Sequence, residues 1–149
     1  MKLAIFLLLP LAAMGDKPVG PPADDLARVQ SEPHPDKRAH LALDHADSVL
    51  KQARDAYDKG DNPGMSALLD EVQRSVELAH SSLKETGKNP SRSPKHFKYA
   101  ELKSRELLRK LDSFREAMSV ADRPAVDRVI GTVQKIHDAL LDGIMGKNK

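Results

Sequence analysis

AHLALDHADSVLKQARDAYDKGDNPGMSALLDEVQRSVELAHSSL, residues 39–83, and AELKSRELLRKLDSFREAMSVADRPAVDRVIGTVQKIHDALLDGI, residues 100–144, align without a gap at an offset of 61. Ala39 meets Ala100, Leu50 meets Leu111, Arg54 meets Arg115, Asp61 meets Asp122 and Pro63 meets Pro124. Val72-Gln73-Arg74 meets Val133-Gln134-Lys135, and the apolar pairs Met65/Val126, Leu69/Ile130 and Leu83/Ile144 keep step. Both copies are written in helical period. Ala39, Ala46 and Ala53 recur every seven residues, as do Ala42, Val49 and Ala56, and Leu43, Leu50 and Tyr57. Stripes this wide suit a bundle core rather than a two-helix seam.

Two copies of a helical hairpin can bury their apolar faces on one another, so the expected fold is all-α: an up-down-up-down four-helix bundle over residues 36–146. Hairpin one occupies 36–87 and hairpin two 93–146. Gly60, Gly87 and Gly146 stand where helices stop, since a left-handed cap suits glycine. Asp61 or Asn62 and Ser93 are the expected caps of the second and third helices, with Pro63 and Pro94 in the first turns, and the fourth helix is expected to begin near Asp122. Connections of about 3, 6 and 3 residues make neighbouring helices antiparallel. The expected core is Met65, Leu69, Val72, Val76, Ala79 and Leu83 in the second helix. The third buries Phe97, Ala100, Leu107, Leu108, Leu111, Phe114 and Met118, and the fourth Val126, Val129, Ile130, Val133, Ile136, Leu140 and Ile144.

Lys2 precedes an apolar run from Leu3 to Leu11 and the small-residue segment Ala12 to Gly15, the layout of a secretory signal cleaved near Gly15. As a helix, Leu3 to Met14 would span only about 18 Å, against a hydrocarbon core of about 30 Å. The expectation is therefore a signal peptide at 1–15, a secreted or periplasmic mature chain, and no membrane span after cleavage. Residues 16–35, with five prolines, read as a disordered linker in which Asp24 to Gln30 forms at most a transient helical turn or two. Residues 147–149 are a short basic tail. With no cysteine in the chain there is no disulfide framework, and packing alone must hold the fold.

Of the 24 basic and 22 acidic side chains only Lys2 lies in the signal, so the remainder carries a single excess positive charge. That balance argues against a nucleic-acid binder, which releases counterions through a basic excess. Four aromatic residues after Gly15 and no tryptophan give little to stack on a base or sugar. The sequence has no Gly-x-Ser-x-Gly elbow, phosphate-binding glycine loop, His-Glu-x-x-His or cysteine nucleophile, so no enzyme activity, catalytic residue or cofactor is expected.

Glu77 and His80 form a Glu-x-x-His, but the second copy reads Asp138 to Leu141 and lacks the histidine, and both side chains fall off the apolar stripe, toward water. Asp36, His40 and Asp44 share one helix face at i, i+4 and i+8, a set that would hold a divalent ion weakly at best. Neither is assigned as a metal site. In layout the chain resembles the small histidine-rich four-helix metal-binding proteins of the bacterial envelope, though it has only six histidines. In size and class it is similar to the helical periplasmic chaperones, without their Leu-Thr-x-x-Gln signature.

Two features stand out from the charged coat. His137 lies on a core stripe, so it is expected as a buried polar group that finds a partner. Between Lys88 and Tyr99 there is no acidic residue, while Arg92, Lys95, His96, Lys98 and Tyr99 gather at the amino end of the third helix, a place for an anion or partner to dock. The function expected is that of an exported non-enzymatic helical protein, an envelope interaction or stress-type protein acting through its surface, as monomer or weak homodimer. Its partner would be a protein or an anionic envelope component. A small-ligand or divalent-metal-binding four-helix protein is the alternative.

Overall fold

Helices account for all the regular structure in the computed structural model, which describes residues 23–147: five helices and, among the described residues, no strand. They are α1 (Ala23–Gln30), α2 (Pro35–Asp58), α3 (Asn62–Glu85), α4 (Lys95–Ala117) and α5 (Arg123–Ile144). The expected signal segment 1–15 and most of the tail lie outside the described residues.

The stripes read from the sequence are the buried faces. Ala39, Ala42, Ala46, Val49, Leu50 and Ala53 of α2 join Leu69, Val72, Val76 and Leu83 of α3 in one apolar cluster with Phe97, Leu111 and Phe114 of α4 and Val126, Val129 and Val133 of α5. Leu50, Leu69, Leu83, Leu111 and Phe114 are each at most 2 % exposed, and burying a side chain of that size contributes about 1.5–3 kcal/mol. Ala56, Tyr57, Ile130 and Ile144 are only partly buried at the cluster's margin. No described helix is long and apolar enough to cross a membrane.

Helix ends follow local chemistry with two exceptions. Asp61 caps α3, its Oδ1 accepting from the Gly64 amide at 3.0 Å, and Gly60, Gly87 and Gly146 take positive φ of 78°, 65° and 70°. Ser93 does not cap α4. The helix opens at Lys95 after Pro94, and the turn before it is organised by Asn89, whose Oδ1 accepts from the Ser91 amide at 2.9 Å and the Ser91 hydroxyl at 2.7 Å. Asp122 stands at the amino end of α5 without capping it; its Oδ2 accepts instead from the Ser119 hydroxyl at 2.6 Å.

The helices pack as two hairpins side by side. α2 and α3 are antiparallel: Arg38 Nε donates to Ser82 Oγ at 2.8 Å near one end, and His45 meets Glu71 at 3.1 Å farther along. α4 and α5 are likewise antiparallel, joined by Glu101 with His137 and by Arg115 with Asp127. Across the hairpins the spatial neighbours run parallel, although helices joined in sequence alternate in direction. α2 lies along α4, pairing His40 with His96 at the start and Tyr57 with Ser119 at the end, and α3 lies along α5, pairing Asp70 with Arg128. The reason is the connection between hairpins, nine residues at 86–94, which carries the chain back across the hairpin end before α4 begins.

The packed chain begins earlier than the sequence reading placed it. Residues 23–30, assigned there to a disordered linker, form α1, and Leu26 is 5 % exposed against α2 and α3. Leu26 and Val29 are spaced i, i+3, enough for a short helix to present an apolar edge. The segment after it is tied down by Arg38, whose Nη1 donates to the Glu32 carbonyl at 2.9 Å, and by Lys37 on the Glu32 carboxylate at 2.9 Å. The Lys37 ammonium, and then His34 through its ring and its amide, hold the Glu32 carboxyl pKa down to about 2.

Candidate functional site

Because α2 and α4 start together and run parallel, one face of α2's first turns looks onto one face of α4's first turns. On α2 that face carries Asp36, His40 and Asp44, at i, i+4 and i+8; on α4 it carries His96 and Tyr99, at i and i+3. The five interleave as a ladder. Lys88 Nζ binds Asp36 Oδ2 at 2.7 Å, and the same oxygen lies 3.6 Å from His96 Nε2. His96 Nδ1 is 3.0 Å from His40 Nε2. The His40 ring stacks on Tyr99, centroids 3.9 Å apart and planes 6° from parallel, and the Tyr99 hydroxyl donates to Asp44 Oδ1 at 3.2 Å.

The charges of this ladder are set by its neighbours. The Lys88 ammonium holds the Asp36 carboxyl below the usual carboxylate range. Burial and then the facing His96 lower the His40 pKa, so its neutral form is favoured. Burial, reinforced by the Asp44 carboxylate, raises the Tyr99 phenol, so it stays a donor. With a hydrogen bond between two imidazole nitrogens, only one of the facing atoms carries the proton. Asp36 Oδ1 is buried and has no hydrogen-bond partner among the described residues.

The residues read as a contact region divide into two groups. His96 and Tyr99 turn inward and complete the ladder, while Arg92, Lys95 and Lys98 are exposed and make no ion pair among the described residues. Lys88, part of the same basic connection, is committed to Asp36. The face of Asp36, His40 and Asp44, read as a weak set of metal ligands, is spent on internal contacts: each member already has a partner on α4 or the connection. Among the described residues no group of three or more His, Cys, Asp or Glu is arranged to hold a metal ion.

His137 lies elsewhere, on α5. Its side chain is 12 % exposed and its Nε2 is 2.9 Å from Glu101 Oε1 of α4, the partner that burial required. Glu101 also binds Arg105. A matching group that sequence reading missed joins α2 and α3: Glu71, its side chain 3 % exposed, accepts from His45 at 3.1 Å and from Arg74 Nη2 at 2.7 Å. Glu71 and Glu101 give no local sign of burial, since the histidines that satisfy them come from another helix. His80 also departs from its reading. Glu77 is exposed as expected, but His80 is partly buried in a groove between α3 and α5, lined on its other side by Thr132, Lys135 and Ile136.

Comparison with known proteins finds no matching family model, no matching curated protein and no matching solved structure. The reading of function therefore rests on this chain's own geometry.

Proposed function

We propose that the chain is an exported, non-enzymatic four-helix protein built from a duplicated hairpin, and that it acts through the amino ends of α2 and α4 by docking on phosphate or carboxylate groups of an envelope surface. The duplication is supported by helix starts at Asn62 and Arg123, which stand at the sequence offset of 61, and by buried residues at matched positions such as Ala46 and Leu107. Export is supported by Lys2, the apolar run to Leu11 and the small residues to Gly15.

One observation carries the docking reading. At the end where two helix amino termini lie side by side, Arg92, Lys95 and Lys98 are exposed and free of any carboxylate among the described residues, while the acids beside them, Asp36 and Asp44, already hold Lys88 and Tyr99. Parallel helices add their positive ends here, and each exposed cation near an anionic membrane surface is worth about 1 kcal/mol. The test is sedimentation with phosphatidylglycerol vesicles against phosphatidylcholine vesicles. Binding to the first alone, weakened by salt and lost in the Arg92→Glu, Lys95→Glu, Lys98→Glu variant, supports the proposal; equal binding to both, or none, refutes it.

A second reading is favoured by the two imidazole nitrogens of His40 and His96, 3.0 Å apart, with Asp36 behind His96 as an outer carboxylate. Two nitrogens and water would hold a zinc ion loosely. Zinc titration of the full chain separates the readings, because a site between these rings shifts the His40 and His96 resonances at one equivalent of ion and a surface contact alone leaves them unchanged.

A further inference from the structure

On the face opposite the α2/α4 ladder, α3 and α5 leave a groove whose two parts share His80 and Lys84. One part, about 410 Å³, is lined by Glu77, Thr132, Lys135 and Ile136; the other, about 220 Å³, runs beneath Pro90 onto Phe97, Ala139 and Leu140. Volumes of this order approach the roughly 300–1,000 Å³ typical of small-molecule sites. The second part owes its roof to a glycine. A side chain at Gly143 would begin only 3.2 Å from the Pro90 ring, so glycine lets the connection between hairpins close over the groove.

The polar groups at the junction are unsatisfied from within. His80 has no hydrogen-bond partner among the described residues, although it is partly buried. Lys84 and Lys135 form no ion pair there, and the single carboxylate lining the groove, Glu77, is exposed and accepts from Gln73 at 3.2 Å. Glu71, Glu101 and Tyr99, by contrast, are each paired across helices. The groove instead combines an apolar floor with two unpaired ammonium groups and an imidazole.

We propose that this groove binds a small carboxylate with a short apolar chain, the chain lying on Phe97, Ala139 and Leu140 and the carboxylate accepting from His80 and Lys84, with Lys135 beside it. The site is separate from the amino-end contact and stands without it. Burial, and secondarily Lys84, lower the His80 pKa, so the empty site favours a neutral ring. A carboxylate placed there favours the imidazolium, so binding draws a proton to His80 in the presence of Glu77, Lys84 and Lys135, the charged groups that face it.

Octanoate is the probe, with octan-1-ol and acetate as controls that keep only the chain or only the charge. NMR titration of the full chain is expected to show one-to-one octanoate binding that shifts His80, Phe97 and Leu140 and raises the His80 pKa. Octan-1-ol and acetate should bind about tenfold or more weakly, the worth of a charge-assisted pair or of a buried chain. Lys84→Glu should weaken octanoate about tenfold and leave octan-1-ol unchanged. Ala139→Leu, which fills the groove and keeps every charge, should weaken both. Circular dichroism checks that each variant is folded. Equal affinity for octanoate and octan-1-ol, shifts confined to other surfaces, or no saturable binding below about 10 mM would overturn the proposal.

Discussion

His137 on α5 and Glu101 on α4 meet at 2.9 Å between Nε2 and Oε1, and the same two atoms of His45 and Glu71 meet at 3.1 Å between α2 and α3. Each hairpin is thus pinned internally by a glutamate buried against a histidine, with an arginine one turn along the glutamate's own helix, Arg105 or Arg74, on its outer side. Removing the histidine takes one donor from a buried carboxylate that keeps its arginine, and a hydrogen bond to a charged group is worth about 1.5–3 kcal/mol. His137→Ala is therefore expected to lower unfolding stability by about that amount in urea titrations, and a Glu101→Leu, His137→Leu double replacement should recover much of the loss. Additive effects of the two single changes would show that the pair is uncoupled.

Acid should act on the same pair. Burial alone would raise the Glu101 pKa, but Arg105 and then His137 outweigh it and leave the carboxyl below 4.5 when folded. Between its folded pKa and 4.5 the unfolded chain binds more protons, so the contribution is complete above 4.5 and is lost as pH falls through the folded value. Glu101→Gln should flatten the stability profile below pH 4.5. An unchanged acid limb would assign acid unfolding to other carboxylates.

His40 predicts a separate step nearer neutrality. Burial and then His96 lower its pKa from 6.5, against the opposing pull of Asp44 and Asp36, while Lys95 adds to the lowering. The unfolded chain binds the proton first, so this contribution is present above 6.5 and lost as pH falls through the folded value. Imidazole resonances should report a His40 midpoint below 6.5, and His40→Gln should remove part of the loss of stability seen on that side. A midpoint at or above 6.5 would mean that the ring is solvated and the ladder open.

The matched positions Asp61 and Asp122 show what helix-end chemistry does with one residue type. Asp61 accepts from the Gly64 amide at 3.0 Å, whereas Asp122 Oδ2 accepts from the hydroxyls of Ser119 and Tyr57. Asp61→Ala should cost about 1 kcal/mol as a lost cap. A Cβ on Gly64 would fall 2.1 Å from Asp61 Oδ2 and drive that flexible carboxylate off the amide. Gly64→Ala should therefore remove most of the effect of a subsequent Asp61→Ala, which thermal unfolding of the four proteins of the cycle would show; equal costs of Asp61→Ala in both backgrounds would contradict it.

The apolar stripes were legible because a helix writes its buried face at fixed spacing, so Leu69, Leu111 and Val129 could be placed from period alone. Ser75, Ser82 and Ser104 are fully buried and fill the same period, but a small polar residue gives no apolar signal there. Ser75 and Ser104 satisfy themselves by donating to carbonyls four residues back, and Ser82 accepts from Arg38. The His40–His96 contact was not legible, since it depends on two parallel helices starting level across 56 residues of chain. Half of it was visible as i, i+4, i+8 on α2, and the other half as the basic run before Tyr99. What joined them was the nine-residue connection, whose path no local period encodes.

The two hairpins fill their share of the core differently, and that difference can be measured. At the offset of 61, Ala53 of α2 corresponds to Phe114 of α4; both are buried, at 0 % and 2 % exposure, and Phe114 packs edge-on to Tyr57 with ring centroids 5.8 Å apart. Alanines at 42, 46 and 53 let α2 and α3 approach closely, and those two helices share the most extensive contact of any pair. Phe114→Ala should open a cavity that surrounding side chains fill only partly, at a cost of about 3–5 kcal/mol. Ala53→Leu should instead force α2 from α3, at about 1–3 kcal/mol. The two losses have different signatures: the first should leave a site that takes up xenon or benzene, and the second should not. Stability unchanged by Ala53→Leu would mean that the alanine face has room to spare and that close approach of α2 and α3 is not what holds the first hairpin.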